Sequence, residues 1–576
     1  MSDIYYGRKK GKNMSILSHF NSGRIPAARI LNRRNRCYAI MHFSLNTFTG
    51  KEWGYGDDDP QIFNPSGFSA EQIAEACKAG GLAGIIIVCK HHDGFCLWPT
   101  KTTPYNISRS PFRNGKGDLV REMADACRKA GLQVGFYVSP WDRNHPAYGT
   151  PGYVKVYQEQ LREIYSGYGP AFEAWFDGAN GGDGWYGGAC EKRKIDPSTY
   201  YEWEKTWRIV RDLQPDAAIF SDAGPDLRWP GNENGFAAPD AFGSYTPHPR
   251  DPDREPAPGY TVYQEGFEGH ADGEFFIPPE CDVPLRPGWF YHAEEDEEVR
   301  SLSTLVELYL NSVGCGGFLN LGIAPDRRGR LHENDVRRLA EFKRAVDALN
   351  SPALFSCSAQ LFSRESVTFE FGGTKRFNLL ELSENMADQG EVVRRYAVEV
   401  RVNGEWEPLV SGKAIGLRRL KTFPEVAGDA LRILVPEACP EEVRLTVSIR
   451  LVPAELLRKE PISAPVRKNY RILEQGKRSG MTAEWRLGKN SGIGGFLFTP
   501  FEDVPNGTPD RYRFEVLSDS GWRTVAEGEF SNLRANPVPQ RVVFAPVSAS
   551  AVRLTALRML DSGTELCFRE FGLILK

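Results

Sequence analysis

Asp177 ends the run Phe172-Glu-Ala-Trp-Phe-Asp177 and is followed by Gly178-Ala-Asn180, so an apolar stretch of strand character delivers one carboxylate to its C-terminal end. Barrel enzymes gather their reactive groups at that end of the strand. Trp175 and Phe176 form an apolar collar that lowers the local dielectric, and a carboxylate there acts strongly on a developing oxocarbenium ion. Three of the nine histidines, His42, His91 and His92, close two earlier apolar runs, with Glu52-Trp53 between them and Tyr137 in a third. Neutral imidazoles, a phenol and a carboxylate offer defined donors and acceptors to the hydroxyls of one sugar. The set predicts a sugar-sized pocket and the chemistry of glycoside hydrolysis. A metal site is not expected: adjacent His91 and His92 point to opposite sides of an extended strand, whereas strand-borne metal ligands repeat at i and i+2.

Glycoside hydrolysis needs a second carboxyl group, about 5 to 5.5 Å from the first in a retaining enzyme. Glu233 is the foremost candidate, in the loop Ser221-Asp-Ala-Gly-Pro-Asp-Leu-Arg-Trp-Pro-Gly-Asn-Glu233. Asp222, Asp226 and Glu265 compete with it, since each also lies at or just after a strand end.

From Cys37 to Asn350, short apolar runs alternate with amphipathic segments, the pattern of repeated β-α units. Strands are predicted at Tyr38–Phe48, Gly84–Cys89, Gln133–Val138, Ala171–Phe176, Ala217–Ser221, Tyr260–Gln264, Gly288–His292 and Gly317–Leu321. Helices are predicted at Ala70–Ala79, Leu119–Ala130, Val154–Tyr165, Thr199–Leu213, Ser301–Val313 and Asn334–Leu349. The fold class that follows is α/β, a (β/α)8-like (TIM-type) barrel over residues 37–350, preceded by a leader over 1–36.

Beyond Asn350 the pattern becomes period-two alternation with turn residues. A repeat runs through it. Tyr396-Ala-Val-Glu-Val400 with Trp406 and Gly412 matches Tyr512-Arg-Phe-Glu-Val516 with Trp522 and Gly528, and Val-Arg-Leu-Thr follows each copy, at Val443–Thr446 and Val552–Thr555. Two related β-sandwiches are expected, at 351–455 and 468–576, joined by a linker over Val452–Arg467. They resemble discoidin-like domains, and the second is a candidate carbohydrate-binding module.

The 576 residues carry a formal net charge of -4 with both signs interspersed, which predicts neither a nucleic-acid nor a membrane partner. Eleven scattered cysteines without a Cys-x-x-Cys pair predict neither a disulfide framework nor a zinc ribbon. No cofactor is implied, and the sequence does not set an oligomeric state. As written, the chain shows no signal peptide and is expected in the cytoplasm; a removed signal would make it periplasmic or secreted.

His42-Phe43, Glu52-Trp53, Lys90-His-His-Asp-Gly-Phe95 with Trp98 and Thr100, Tyr137 within Gly135-Phe-Tyr-Val-Ser139, and Trp175-Phe-Asp-Gly178 occur in the order found in the α-L-fucosidases of glycoside hydrolase family 29. The chain resembles that family from Ala39 to about Asn350. The resemblance implies a retaining exo-glycosidase acting on a fucosylated oligosaccharide, with Asp177 as nucleophile. It implies a fucose subsite lined by His42, Glu52, Trp53, His91, His92 and Tyr137, with Trp289 stacking on the sugar's apolar face. The Asp222–Glu233 block resembles the subgroup that cleaves α-1,3/1,4-linked fucose from branched Lewis-type glycans, in which the Gly-Asn-Glu glutamate is the acid/base; this implies that role for Glu233. The Gly-rich segment Gly181–Lys194 departs from the family pattern. A broader enzyme that also accepts α-1,2 or α-1,6 linkages is an alternative, as is a fucose-binding protein without catalysis, against which the two carboxylates argue.

Overall fold

The computed structural model describes residue 30, residues 36–457, and residues 470–575 other than 475, 502–505, 519, 531–532, 534–538 and 561–562. Apart from Ile30 and Arg36, the expected leader lies outside these residues, as does most of the expected linker. Eight parallel strands build the first unit: β1 Cys37–Met41, β2 Gly84–Lys90, β3 Gln133–Val138, β4 Glu173–Trp175, β5 Ala218–Ser221, β6 Leu227–Arg228, β7 Glu280–Pro284 and β8 Phe318–Ile323. Their order in the sheet is β7-β8-β1-β2-β3-β4-β5-β6, and a parallel bridge between Arg228 and Pro279 brings the two edges together. The fold is the α/β barrel that the alternating pattern predicts.

Period-two alternation decides which residues reach the site. Tyr38, Ile40, Ile86, Val88, Tyr137, Trp175 and Phe220 pack together inside the barrel. Their neighbours Ala39, Met41, Ile85, Ile87, Phe136 and Ile219 join the core formed with the surrounding helices. The inward parity continues past the strand ends, as Tyr38-Ile40-His42, Trp175-Asp177 and Glu280-Asp282, so the pocket is an extension of the barrel core. The helices Ala70–Ala79 and Leu119–Ala130 have their predicted bounds, since Ser69 and Asp118 accept the N–H groups of Gln72 and Arg121 at their starts.

The sixth and seventh predicted strands are corrected. Tyr260–Gln264 is loop, touching Pro249 through one bridge at Thr261, and Gly288–His292 is also loop. The strands that take those places are β6 and β7. The sequence of β7, Glu-Cys-Asp-Val-Pro, does not read as a buried strand because its inward residues are acidic. Its Glu280 is nevertheless fully buried, accepting hydrogen bonds from Tyr38 Oη, from Trp175 Nε1 (3.0 Å) and from Asn320 Nδ2 (2.9 Å). The first strand stops at Met41 rather than Phe48, and Leu45–Thr49 forms a helical turn instead.

Between β6 and β7 runs a long loop with little regular structure, and one buried cation organises it. The Arg228 guanidinium donates to Gly266 O (2.8 Å), Phe242 O (2.8 Å) and Ile277 O. The first C-terminal sheet grips the same loop from outside: Glu391 accepts the N–H groups of Gly243 and Ser244, Arg419 donates to Pro239 O and Ala241 O, and Lys421 pairs with Asp240.

The C-terminal region contains two antiparallel sheets of one topology. The first takes its strands in the order 355–362, 442–450, 366–384, 419–438, 393–402, 405–412, and the second in the order 470–472, 570–575, 482–499, 540–559, 509–518, 521–529. The repeat has a structural meaning. Tyr396 pairs with Gly412 and Tyr512 with Gly528, and a Cβ on either glycine would meet the tyrosine hydroxyl, at 2.7 and 2.9 Å. One face of Trp406 is covered by Arg432, itself paired to Glu399, and Trp522 is covered in the same way by Arg553, paired to Glu515. The two Val-Arg-Leu-Thr segments, by contrast, occupy different strands of the two sheets: Val552–Thr555 corresponds to residues 431–434, beside the tyrosine strand, and not to Val443–Thr446.

Replacing Arg228 by Met leaves three buried carbonyl groups without donors. The variant is expected to lose at least about 3 kcal/mol of unfolding free energy in a urea titration.

Candidate active site

At the C-terminal mouth of the barrel, one pocket is lined by Ile40, His42, Trp53, His91, His92, Tyr137, Trp175, Asp177, Ala179, Glu233, Asp282 and Trp289. Asp177 stands two residues beyond the inward-facing Trp175 of β4. Its Oδ1 accepts the Ala179 N–H (2.6 Å) and its Oδ2 the Tyr137 hydroxyl (2.8 Å), with His92 Nε2 at 3.7 Å. Burial raises the Asp177 pKa above the ordinary carboxylate value, and the Ala179 and Tyr137 hydrogen bonds pull it back. Tyr137 keeps its proton, because burial and the adjacent Asp177 charge both oppose its ionisation.

His91 and His92 both face the pocket, contrary to the opposite-face expectation. The β2–β3 register shifts between Val88 and Lys90, β2 ends at Lys90, and the two rings lie 4.2 Å apart beyond that end, where strand alternation no longer applies. Lys90 turns away instead and donates to Tyr153 Oη (2.9 Å) and Gln160 Oε1 (2.8 Å). Burial depresses the pKa of all three pocket histidines well below the usual imidazole value, so they are neutral. The tautomer of His92 follows from its partner. Ser139 Oγ donates to Trp141 O (2.8 Å) and therefore accepts from His92 Nδ1 (2.8 Å), which leaves the Nε2 lone pair facing the pocket. Trp53 packs edge-on against His92 at 4.9 Å.

Glu52 does not line the pocket. Its carboxylate accepts the N–H groups of Trp289 (2.7 Å) and Phe290 (3.2 Å) and bonds His292 Nε2 (2.9 Å). It therefore fixes the loop that carries Trp289, whose indole Nε1 donates to Glu233 Oε2 (3.1 Å). Gly322 on β8 makes room for that indole, since a Cβ there would lie 2.6 Å from the ring. The other loop carboxylates are engaged elsewhere: Asp222 with Gly259 N and Thr261 Oγ1, Asp226 with Arg211, Glu265 with His248. Of the four, Glu233 alone lines the pocket.

A family model described as alpha-L-fucosidase matches residues 16–347. The chain belongs to the alpha-L-fucosidase family. It is 35% identical over 435 residues to alpha-L-fucosidase 1 of Arabidopsis thaliana, spanning 69% of this chain and 82% of that protein. Among solved structures it is similar to a glycoside hydrolase 29 family member from an unknown rumen bacterium, with 37% identity, a TM-score of 0.70, and coverage of 96% of this chain and 100% of that one. It is also similar to a Ruminococcus gnavus GH29 fucosidase in complex with fucose, with 25% identity, a TM-score of 0.64, and coverage of 75% and 96%.

Asp282 of this fucosidase went unread in the sequence because β7 was placed elsewhere; the signal that could have found it is the inward pair Glu280 and Asp282. It is buried in the pocket, and among the described residues its Oδ1 has no hydrogen-bond partner. Burial first, then the charges of Glu233 and Asp177, push its pKa well above the ordinary carboxylate value. Among the described residues, potential metal ligands converge elsewhere, at His248, Glu265 and His270 in the long loop. There His270 Nδ1 accepts the Thr246 N–H (3.2 Å), which places the His270 proton on Nε2, the atom facing Glu265 at 3.8 Å. A protonated nitrogen has no lone pair for a metal, and Glu265 is instead hydrogen-bonded to His248 Nδ1 (2.8 Å).

Burial lowers the His292 pKa, but the Glu52 hydrogen bond and the surrounding acidic charges outweigh it and raise the value to about 9. A raised pKa stabilises the fold fully below the unfolded value of about 6.5, and the contribution is lost as pH rises through about 9. The fucosidase is therefore expected to lose more thermal stability between about pH 7 and pH 9.5 than its His292→Gln variant. Melting temperatures measured across that range check it.

Proposed function

We propose that this alpha-L-fucosidase is a retaining exo-enzyme that releases α-1,3/1,4-linked terminal fucose from branched Lewis-type glycans. The observation that carries the reading is the arrangement around Asp177. One carboxylate oxygen is held by the Ala179 N–H and the other by the Tyr137 hydroxyl, at a mouth shared with Glu233, three neutral histidines and three indoles. Asp177 attacks the anomeric carbon while Glu233 passes a proton to the departing glycosidic oxygen, so the C–O bond breaks with a neutral sugar leaving. Water then attacks the same carbon, its proton returns to Glu233, and the bond to Asp177 breaks, giving fucose with its configuration retained.

His42, His91, His92, Tyr137, Trp53 and Trp289 form the sugar subsite in this reading, with Glu52 acting through Trp289. The similar Ruminococcus gnavus GH29 fucosidase in complex with fucose supports fucose as the sugar bound. The linkage preference rests on the likeness of the Asp222–Glu233 block to the α-1,3/1,4 subgroup. The C-terminal sandwiches are proposed as domains of about 351–455 and 468–576, the second of which binds carbohydrate.

Asp177→Ala is expected to reduce kcat on a Lewis-type trisaccharide by at least about 1000-fold with the fold intact by circular dichroism. NMR should show the α anomer of fucose as the first product. Release of fucose from Lewis-type trisaccharides but not from 2'-fucosyllactose, abolished in Glu233→Ala, supports linkage and acid/base together. Release from every substrate would establish the broad enzyme, and binding without release would establish a fucose-binding protein.

A further inference from the structure

Arg143 is fully buried one layer behind the pocket and touches two of its residues through the backbone. Its own N–H donates to His92 O (2.9 Å), and its guanidinium donates to Gly54 O (2.8 Å) and Trp53 O (3.5 Å). A buried guanidinium needs compensating charge. Asp183 of the hairpin 182–193 supplies part of it through Oδ1 (3.1 Å) and its carbonyl (2.9 Å). The rest comes from Glu529 at the end of the strand Gly521–Glu529 in the second C-terminal sheet, at 3.2 and 3.3 Å. Arg558 and Asp510 of the same sheet extend the series, Arg558 pairing with Asp183 and with Asp510.

The repeat supplies an independent observation. Glu529 directly follows the Gly528 that lies beneath Tyr512. The equivalent residue of the first sheet, Lys413 after Gly412, reaches the barrel in the same way and pairs with Glu268 in the long loop that also carries Glu233. Each module thus uses one hairpin position to place a charge against a loop of the barrel.

We propose that the second β-sandwich is a working part of the sugar pocket: Glu529, with Asp183, holds Arg143, and Arg143 positions the Trp53-Gly54 segment and the His92 turn. Glu529 is a positioning residue and contacts no substrate. The Arg143 charge also disfavours protonation of His91 and His92, so its placement bears on the neutral state of both rings.

The test uses the full chain and compares wild type with Glu529→Ala, Glu529→Gln and, as a control inside the same module, Glu515→Gln. Glu529→Ala is expected to weaken L-fucose binding in calorimetry and to raise KM for a Lewis-type trisaccharide by about tenfold, with kcat within about twofold. Glu529→Gln should fall between it and wild type, and Glu515→Gln should match wild type. Hydrogen exchange should accelerate at residues 53–56 and 92–95 of Glu529→Ala and stay unchanged in the helix Ala70–Ala79. A lowered melting temperature with unchanged fucose affinity, KM and exchange would overturn the inference, because the contact would then serve only as scaffold. A wild type that neither binds nor releases fucose would overturn the fucosidase reading instead, leaving the exchange measurement to decide this one.

Discussion

Three carboxyl groups, Asp177, Glu233 and Asp282, open into one buried pocket, and their mutual repulsion in a low dielectric is the constraint around which the site is built. Asp177 is held by a phenol and a peptide N–H, and Glu233 by the Trp289 indole. Asp282 lacks such help for its Oδ1 among the described residues, and burial together with the neighbouring charges raises its pKa well above the ordinary carboxylate value. The neutral histidines fit the same logic, since burial strips them of charge and leaves lone pairs and N–H groups as their working features. A pocket organised in this way recognises hydroxyl groups by direction rather than by net charge, which suits an uncharged sugar.

Apart from Tyr137 on β3, the donors that stabilise this cluster sit on loops, and loops hold position only if their polar backbone is satisfied. Two different solutions appear. The Trp289 loop is tied to the first βα loop by Glu52, whose carboxylate takes two consecutive N–H groups and an imidazolium. The long loop carrying Glu233 has little regular structure to draw on, so buried Arg228 gathers its carbonyl groups from within while Glu391 and Arg419 of the first sandwich fasten it from outside. The sandwiches are therefore continuous with the catalytic unit in a mechanical sense. Their repeated tryptophans each have one face covered by arginine, so the repeated motif itself is chiefly a means of holding the sheet together.

How far the sequence could be read depends on whether each residue's role is local. The helix bounds at Ala70–Ala79 and Leu119–Ala130, the first five barrel strands, and Asp177 at the end of its strand are properties of short segments, and all were legible. Pairing of Tyr with Gly across a hairpin was legible as a repeat, though the shared Val-Arg-Leu-Thr was misleading because similar short β segments recur in strands of different position. Strand β7 was not legible, since Glu280 and Asp282 are acidic and become buried only because Tyr38, Trp175 and Asn320 arrive from three other strands.

By itself, the sequence determined the barrel, the family, and the residue types gathered at the barrel mouth, because strand periodicity and ordered motifs are encoded within a few neighbouring residues. Only the tertiary structure decided that His91 and His92 share one side, that Glu52 serves Trp289 rather than the pocket, that Asp282 is a third carboxyl group, and that Glu529 of a distant module reaches Arg143. Each of these depends on contacts between segments far apart in the chain, where the energy of burying a charge is settled by whichever partner the fold brings to it.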